Sequence, residues 1–269
     1  MNPAAGRHVM GRRLFVAAAA AAIGARAFPL EMPPAAALIA RILELRRGSV
    51  VRARGRLVVT DARNRQRVFQ ILVLQKPLAR SLNLLWQVTA PPEALTRILV
   101  ESPFEGRPTL WLASGANGTP AVLPAQRWAD PILGSQLAFE DLVDDHLAWP
   151  EQAVTGEEAV SGKMCFVLRS APAAGRSPAY GSVTTWVDEA TLLPLRTVKQ
   201  PRGSGAPKEI VCRGARQSAQ RWTASTIEVR IRGGEENTRV VFTAGSARAR
   251  VTDREVDPKF AFGPEGDGR

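Results

Sequence analysis

Acidic residues beside a histidine form the most chemically suggestive cluster of the sequence. Glu140, Asp141, Asp144 and Asp145 stand close together, and His146 follows them directly. Such a group could hold a calcium ion or take part in acid–base catalysis. Its spacing lacks the alternating carboxylates and the glycine of a calcium loop, and the helix dipole alone favours carboxylates near a helix start. We therefore interpret the acids as the water-facing side of a short helix.

Other patterns that would support catalysis are missing from the sequence. Beyond residues 1–27, His146 is the only histidine, so neither a histidine metal pair nor a histidine-assisted nucleophile is indicated. The chain has no Gly-x-Ser-x-Gly motif, no phosphate-binding loop and no dinucleotide fingerprint. We therefore expect no enzymatic activity, no cofactor and no metal site. A hydrolase with an unrecognised site is the weakest alternative.

The acids stand in a segment whose pattern predicts a short helix laid on a sheet. The segment reads Gly134-Ser-Gln-Leu-Ala-Phe-Glu-Asp-Leu-Val-Asp144, and Ser135 can cap the helix. The apolar side chains fall together on the side opposite the acids: Leu137, Phe139, Leu142 and Val143. We expect Phe139 and Leu142 to bury against the sheet.

A hairpin is predicted in the segment that runs from Tyr180 to Arg196. Val183, Thr185 and Val187 alternate with Thr184, Trp186 and Asp188, which is the period of a strand with one dry face. Residues 188–191 favour a turn, and residues 192–198 resume an apolar strand with a proline near its start.

These two segments resemble two signatures of the LolA/LolB-like outer-membrane lipoprotein-sorting proteins, which are bacterial periplasmic carriers. The first resembles Gly-Ser/Thr-x-x-Ser/Ala-aromatic-Glu-Asp-Leu, and the second resembles the hairpin Trp-Val-Asp-x-x-Thr-x-x-Pro-Leu. The resemblance covers about residues 50–250. It implies a half-open barrel in which helices form a lid over a cavity for acyl chains. The chain departs from many relatives in having Phe139 where they have Tyr, and Ala138 where they have Ser or Thr.

The rest of the pattern predicts one helix followed by strands. Helical spacing covers residues 35–47, and alternation indicates strands near 49–60, 66–76, 81–90, 96–102, 108–113, 163–170, 181–188, 193–200, 208–216, 221–232 and 238–248. A sheet of about eleven strands must curl or split. We predict a mainly β (α+β) fold, a single curled antiparallel sheet forming an unclosed half-barrel. Helices at 35–47 and 135–146 would cover its dry face, and the other face would be wet.

Apolar side chains on neighbouring strands are candidates for the lining of such a trough. Leu84 and Trp86 on the third strand, with Ile98 and Val100 on the fourth, are the preferred lining residues, and Trp186 is a further candidate. Alternation fits a filled core and an open cavity equally, and core packing is the default for a tryptophan. Phe139 and Leu142 would belong to the lid.

The first residues of the chain predict export. Residues 1–13 carry three arginines and no acid, residues 14–23 form an apolar run, and Ala25-Arg26-Ala27 fits a cleavage site. We expect a signal peptide at 1–27, a mature periplasmic domain at 28–269 and no membrane span. Arg12 and Arg13 are compatible with either the twin-arginine or the general export pathway.

The chain of 269 residues is basic, with a formal net charge of +11 that falls to +7 once the four arginines of residues 1–27 are removed. An exported protein does not meet nucleic acid, and the basic residues are scattered through strands. The charge indicates either solvated outer faces or attraction to anionic headgroups.

Cys165 and Cys212 are the only cysteines. An exported protein could pair them, but in a simple meander they would lie three strands apart, about 14 Å at the usual strand spacing. A disulfide would require the sheet to curl or the strand order to change, and we interpret both as core or strand cysteines.

Three functions are compatible with these observations. The first is a monomeric periplasmic carrier that shields acyl chains of a lipid or lipoprotein, with an inner-membrane transporter as a candidate partner. The second is a sensor or scaffold module that uses the same half-barrel to bind a protein. The third is the hydrolase mentioned above. Co-purified lipid would favour the first, and a neighbouring gene for a transmembrane regulator would favour the second.

Overall fold

The computed structural model describes residues 32–143, 145–173, 179–218, 221–243 and 250–262, with residues 218, 221 and 222 described by their backbone alone. The expected signal peptide and Asp144 lie outside the described residues. Among the residues described, no helix is long and apolar enough to cross a membrane.

Thirteen strands and two α-helices make up most of the structure of the described residues. The helices are α1 (Ala35–Arg47) and α2 (Asp253–Val256). The strands are β1 (Val51–Thr60), β2 (Gln66–Pro77), β3 (Ser81–Ala90), β4 (Thr96–Pro103), β5 (Thr109–Ser114), β6 (Ala121–Val122), β7 (Glu151–Val160), β8 (Lys163–Ala171), β9 (Tyr180–Asp188), β10 (Pro194–Pro201), β11 (Lys208–Ser218), β12 (Arg221–Ile231) and β13 (Asn237–Phe242). Short 3₁₀ turns lie at Pro92–Ala94, Ala125–Arg127, Ile132–Gly134, Phe139–Leu142 and Asp145–Ala148.

All thirteen strands belong to one antiparallel sheet in the order β6-β5-β4-β3-β2-β1-β13-β12-β11-β10-β9-β8-β7. The first strand of the chain, β1, therefore pairs with the last strand, β13, in the middle of the sheet. β6 and β7 are the free edges, so the sheet does not close into a barrel. Residues 123–150, the crossing segment, run from one edge of the sheet to the other.

The crossing segment packs on what we call the inner face of the sheet. Apolar side chains from β1 to β5, β12 and β13 form one core with those of the crossing segment: Leu57, Val59, Phe69, Ile71, Trp86, Val88, Ile98, Val100, Leu110, Leu123, Ile132, Leu137, Phe139, Val143, Val229 and Val240. The strand members sit at alternate positions, as expected of one face of a pleated strand. Burying the aromatic and branched side chains contributes roughly 1.5 to 3 kcal/mol each.

Helix α1 packs on the strands near the β7 edge. Leu38, Ile39 and Ile42 are buried against Phe166 and Leu168 of β8, together with other apolar side chains. Helical spacing brings these three residues to one face, and the helix ends at Gly48. The predicted bounds of this helix are confirmed.

The outer face is not uniformly wet, and this corrects the sequence prediction. Leu74, Leu85 and Leu99 on β2, β3 and β4 are buried against Val251 and Val256 of the C-terminal segment. The prediction was wrong because β2, β3 and β4 carry apolar side chains on both faces, whereas the alternation pattern was interpreted for one face only.

The mostly β fold with a single antiparallel sheet is confirmed, and the described part of the chain contains thirteen strands instead of about eleven. β7 was missed because its acids and Gly156 interrupt the alternation, and β6 has only two residues. The predicted helix at 135–146 is wrong, since two 3₁₀ turns stand there instead. Cys165 is buried and Cys212 is half-buried, and no disulfide joins the two thiols.

Candidate functional site

A cavity of about 390 Å³ lies on the inner face of the sheet. Ile42, Leu45 and Arg46 of α1 form part of its wall, and the crossing segment forms another part through residues that include Leu137 and Val143. Strands β2 to β4 and β9 to β13 supply the rest, so the sheet curls around one space. Most of the lining is apolar.

Four of the residues selected from the sequence line this cavity. They are Leu84, Trp86, Val100 and Leu142. Ile98 and Phe139 belong to the adjoining core instead, where they are almost completely buried and do not reach the cavity. Apolar alternation therefore selected the correct face of β3 and β4 without separating filled core from open space.

Trp186 does not line the cavity, which corrects the sequence prediction. Thr185 and Val187 face the cavity, and successive residues of a strand point to opposite faces. The indole therefore packs on the outer face with Cys165, Leu195 and Val198. Its Nε1–H donates to Glu158 Oε2 at 2.7 Å, and the Arg196 guanidinium lies 4.4 Å from the ring centroid.

Asp141 is the centre of a polar cluster at one side of the cavity. Its Oδ1 accepts hydrogen bonds from Lys199 Nζ at 2.8 Å and Tyr180 Oη at 3.0 Å. Its Oδ2 accepts from Lys208 Nζ at 2.6 Å and from the backbone N–H of Ala138 at 2.8 Å. One carboxylate thus joins the crossing segment to β9, β10 and β11.

Burial and charge act in opposite directions on this carboxylate. The side chain of Asp141 is 0% exposed, and those of Lys199 and Lys208 are only 4% and 11% exposed. Burial alone would raise the pKa of Asp141, but the two ammonium groups and the hydrogen bonds outweigh it and hold that pKa below its usual range. Burial, together with the nearby carboxylate, raises the pKa of Tyr180 above its usual range. Asp141 is therefore an ionised structural anchor.

The interpretation of the acids as a water-facing cluster is wrong for Asp141 and for Glu140. Glu140 is 5% exposed, and its Oε2 accepts the N–H of Ala179 at 3.2 Å. One signal for this was present in the sequence. Lys199 and Lys208 each lie two residues from a residue that lines the cavity, Thr197 and Ile210 respectively, so both lysines face inward. Two inward lysines on neighbouring strands need a buried acid as their partner.

The turn before Asp141 explains the first signature in physical terms. Leu133 and Gly134 adopt positive φ values of 52° and 66°, and Ser135 N–H closes the turn on Ile132 O. A Cβ at position 134 would lie 2.9 Å from Arg67 Nη2, so glycine suits both the conformation and the space. Phe139 then enters the core while Asp141 faces the strands. Ser135 does not cap a helix, because the 3₁₀ turn begins only at Phe139; its hydroxyl accepts a hydrogen bond from Leu137 N–H at 3.1 Å.

The second signature also has a structural basis. Asp188 ends β9, and its carboxylate accepts hydrogen bonds from the N–H of Ala190 at 3.0 Å, Thr191 Oγ1 at 2.9 Å and Lys163 Nζ at 2.8 Å. These bonds fix the turn before β10, so the predicted hairpin is confirmed. Through Tyr180 and Asp141, the two segments that carry the signatures contact each other directly.

His146 lies beside this cluster and also lines the cavity. Its Nε2 is 3.5 Å from Thr185 Oγ1, which is at the limit of a hydrogen bond. In the part of the chain that the structure describes, no group of three His, Cys, Asp or Glu residues is placed to hold a metal ion.

Comparisons with known proteins found a matching family model and solved structures of similar fold. Residues 83–256 match the model of a family described as an uncharacterized protein. A comparison with curated proteins found no match. A DUF1329 family protein from Desulfovibrio piger ATCC 29098 is similar in structure, with a TM-score of 0.74 and 18% identity, over 84% of this chain and 98% of the other.

Two further solved structures are also similar to this chain. A putative outer membrane lipoprotein-sorting protein domain from Vibrio parahaemolyticus has a TM-score of 0.74 and 19% identity, over 83% of this chain and 97% of the other. A LolA superfamily protein from Nitrosomonas europaea has a TM-score of 0.61 and 16% identity, over 84% and 98%. The LolA-like fold expected from the two signatures is confirmed, since these structures share the fold of this chain.

Proposed function

Since the chain belongs to the family of uncharacterized proteins whose model matches residues 83–256, and has a LolA-like fold, we propose that it is a periplasmic carrier. It encloses an acyl chain of a lipid or lipoprotein in the cavity and works without a covalent step. The observation that carries this proposal is an open, mostly apolar cavity where a sheet of this size could have had a filled core.

The energetics of burial support this function. The cavity volume of about 390 Å³ falls in the usual range for ligand pockets, roughly 300 to 1,000 Å³. Each methylene group transferred from water into an apolar site contributes about 0.8 kcal/mol. An acyl chain lying against Leu84, Trp86 and Val100 can therefore be held without specific headgroup chemistry.

The proposed cover of the cavity consists of α1 and the 3₁₀ turns of the crossing segment. Leu45 of α1 and Leu142 of the turn at Phe139–Leu142 both line the cavity from the side opposite the strands. Movement of α1 would open the cavity without breaking the sheet, because its buried residues contact mainly β8, β9 and nearby loops. The crossing segment is anchored by Asp141 and would stay in place.

Export, assembly state and partners complete the proposal. The signal peptide at 1–27 would be removed after Ala27 and leave a periplasmic monomer. An inner-membrane transporter would be the candidate supplier of cargo. N-terminal sequencing of the protein from the periplasm should give Phe28 as the first residue.

Native mass spectrometry of the protein purified from its own periplasm, followed by lipid extraction, tests the carrier function. We expect a bound acyl lipid in the wild type and a large loss of it in Leu84→Arg, because an arginine there fills and charges the cavity. Met164→Arg is the matched control, since Met164 is 48% exposed on β8 and does not line the cavity.

The proposal fails if the native protein is empty and a fluorescent fatty acid does not bind at tens of micromolar, which corresponds to about 6 kcal/mol of binding free energy. Equal lipid content in Leu84→Arg and the wild type, with both variants folded, would also contradict the cavity as the binding site.

A further inference from the structure

The end of α1 forms an exposed apolar and basic surface beside the cavity. Leu45 is 41% exposed and Val50 is 42% exposed, although most large apolar side chains of the described residues are buried. Leu45 and Arg46 also line the cavity, so this surface is continuous with it. Arg46 and Arg47 occupy the last turn of the helix.

Two hairpin turns lie next to the end of α1. The Arg47 guanidinium is 4.6 Å from the centre of the Phe104 ring, which belongs to the turn between β4 and β5. The N–H of Phe104 donates to Arg80 O at 3.0 Å, which joins that turn to the one between β2 and β3. We call residues 45–50, 78–80 and 103–107 together the rim surface.

Basic residues predominate on the rim surface. It contains four arginines, Arg46, Arg47, Arg80 and Arg107, and a single acid, Glu105. Arg80 and Arg107 are exposed at the tips of their turns. Arginines beside exposed leucine and valine form the pattern by which protein surfaces bind the interface of an anionic bilayer.

We propose that the rim surface docks on membranes that carry anionic lipid headgroups, with the cavity facing the bilayer. The arginines bind the headgroups, and Leu45 and Val50 enter the boundary between headgroups and acyl chains. Cargo then passes between bilayer and cavity beside Leu45 without crossing bulk water. This inference rests on the proposed carrier function for its purpose, and on the rim surface alone for the binding itself.

Vesicle co-sedimentation of the full mature chain tests the docking. We expect binding to vesicles of phosphatidylcholine with phosphatidylglycerol, little binding to phosphatidylcholine alone, and weaker binding as salt is added. The variant Val50→Ser/Arg80→Glu/Arg107→Glu, which changes no residue of the cavity lining, should bind the anionic vesicles at least tenfold more weakly than the wild type.

A matched control separates a local surface from net charge. Arg230→Glu/Ile231→Ser/Arg232→Glu makes the same change of charge and replaces an equally exposed apolar residue, since Ile231 is 38% exposed in another hairpin and does not line the cavity. It should bind anionic vesicles as the wild type does. Equal losses in both variants, equal binding to neutral vesicles, or no binding to anionic vesicles would each overturn the proposal.

Fatty-acid binding in the absence of vesicles distinguishes this inference from the carrier function. Both triple variants should bind a fluorescent fatty acid with unchanged affinity, because none of the changed residues lines the cavity. Retained fatty-acid binding without vesicle binding in the wild type would refute membrane docking alone, and would point to an acidic protein partner for the rim surface. Vesicle binding by a wild type that takes up no fatty acid would refute only the carrier.

Discussion

Two segments of the chain pack across the same sheet from opposite sides, and they are held in different ways. The crossing segment on the inner face is anchored by one buried carboxylate, that of Asp141, with its four hydrogen bonds. The C-terminal segment at 250–262, on the outer face, is held at several separate points. We call it the outer strap.

The contacts of the outer strap are spread along its length. Side chains of the sheet donate to its backbone carbonyls: Lys76 Nζ to Val251 O at 2.8 Å, Asn83 Nδ2 to Val256 O at 2.8 Å and Arg97 Nη1 to Phe262 O at 3.0 Å. Ion pairs between Arg52 and Glu255 and between Lys76 and Asp253 lie nearer to solvent, and the side chain of Asp253 is 73% exposed.

The difference shows how burial changes the consequence of losing one contact. A carboxylate that neutralises two buried lysines cannot be removed without leaving charge in an apolar interior. A partly exposed ion pair can be lost with water replacing the partner. We therefore expect the crossing segment to be more sensitive than the outer strap to the loss of one charged side chain.

The largest effect should come from Asp141→Asn. The change removes the negative charge between Lys199 and Lys208 and should lower the free energy of unfolding by about 3 to 5 kcal/mol. Tyr180→Phe is the control, because it deletes one hydrogen bond to the same carboxylate and should cost about 1.5 to 3 kcal/mol. Urea unfolding of the variants measures both, and equal losses would contradict the central role of the charge.

The second-largest effect should come from acid, which protonates Asp141 and so weakens its contacts with Lys199 and Lys208. The pKa of Asp141 is lowered in the folded state, whereas an unfolded aspartate titrates near about pH 3.9. The stabilisation is thus fully present above that pH and is lost as pH falls toward the folded-state pKa. The free energy of unfolding should decrease below about pH 4, and the difference between wild type and Asp141→Asn should shrink with it. A constant difference between the two proteins over this range would contradict the assignment.

Much of the fold could be predicted because its signals are local. The β9–β10 hairpin follows from alternation around Val183 and from the turn-forming residues after Asp188, and both features are visible within a few positions. Leu84 and Trp86 were placed on the inner face for the same reason. Strand alternation shows which side chains share one face of a sheet, and this information is most of what is needed to predict how the sheet packs.

The contacts of Asp141 and of the outer strap were missed because their partners are distant in sequence. Asp141 binds lysines 58 and 67 residues away, and its local pattern groups it with acids on one side of a helix that does not form. The outer strap has isolated valines at 251 and 256 without a period that would mark a buried face. Whether the inner face is core or cavity depends on how all strands curl together, which no single segment reveals.

The smallest effect should come from the Arg52–Glu255 ion pair of the outer strap. Both side chains are about one-third exposed, and pairs of this kind contribute roughly 0 to 1 kcal/mol. Glu255 also accepts hydrogen bonds from Thr252, so Glu255→Gln is a better choice than alanine because the amide oxygen can still accept them. Arg52→Ala additionally loses a bond to Arg250 O at 3.0 Å.

A double-mutant cycle with these two changes cancels both side effects and isolates the pair. Urea unfolding should give a coupling below about 1 kcal/mol, and high salt should reduce it further. A coupling as large as the loss expected for Asp141→Asn would mean that the outer strap, like the crossing segment, depends on a single charged contact.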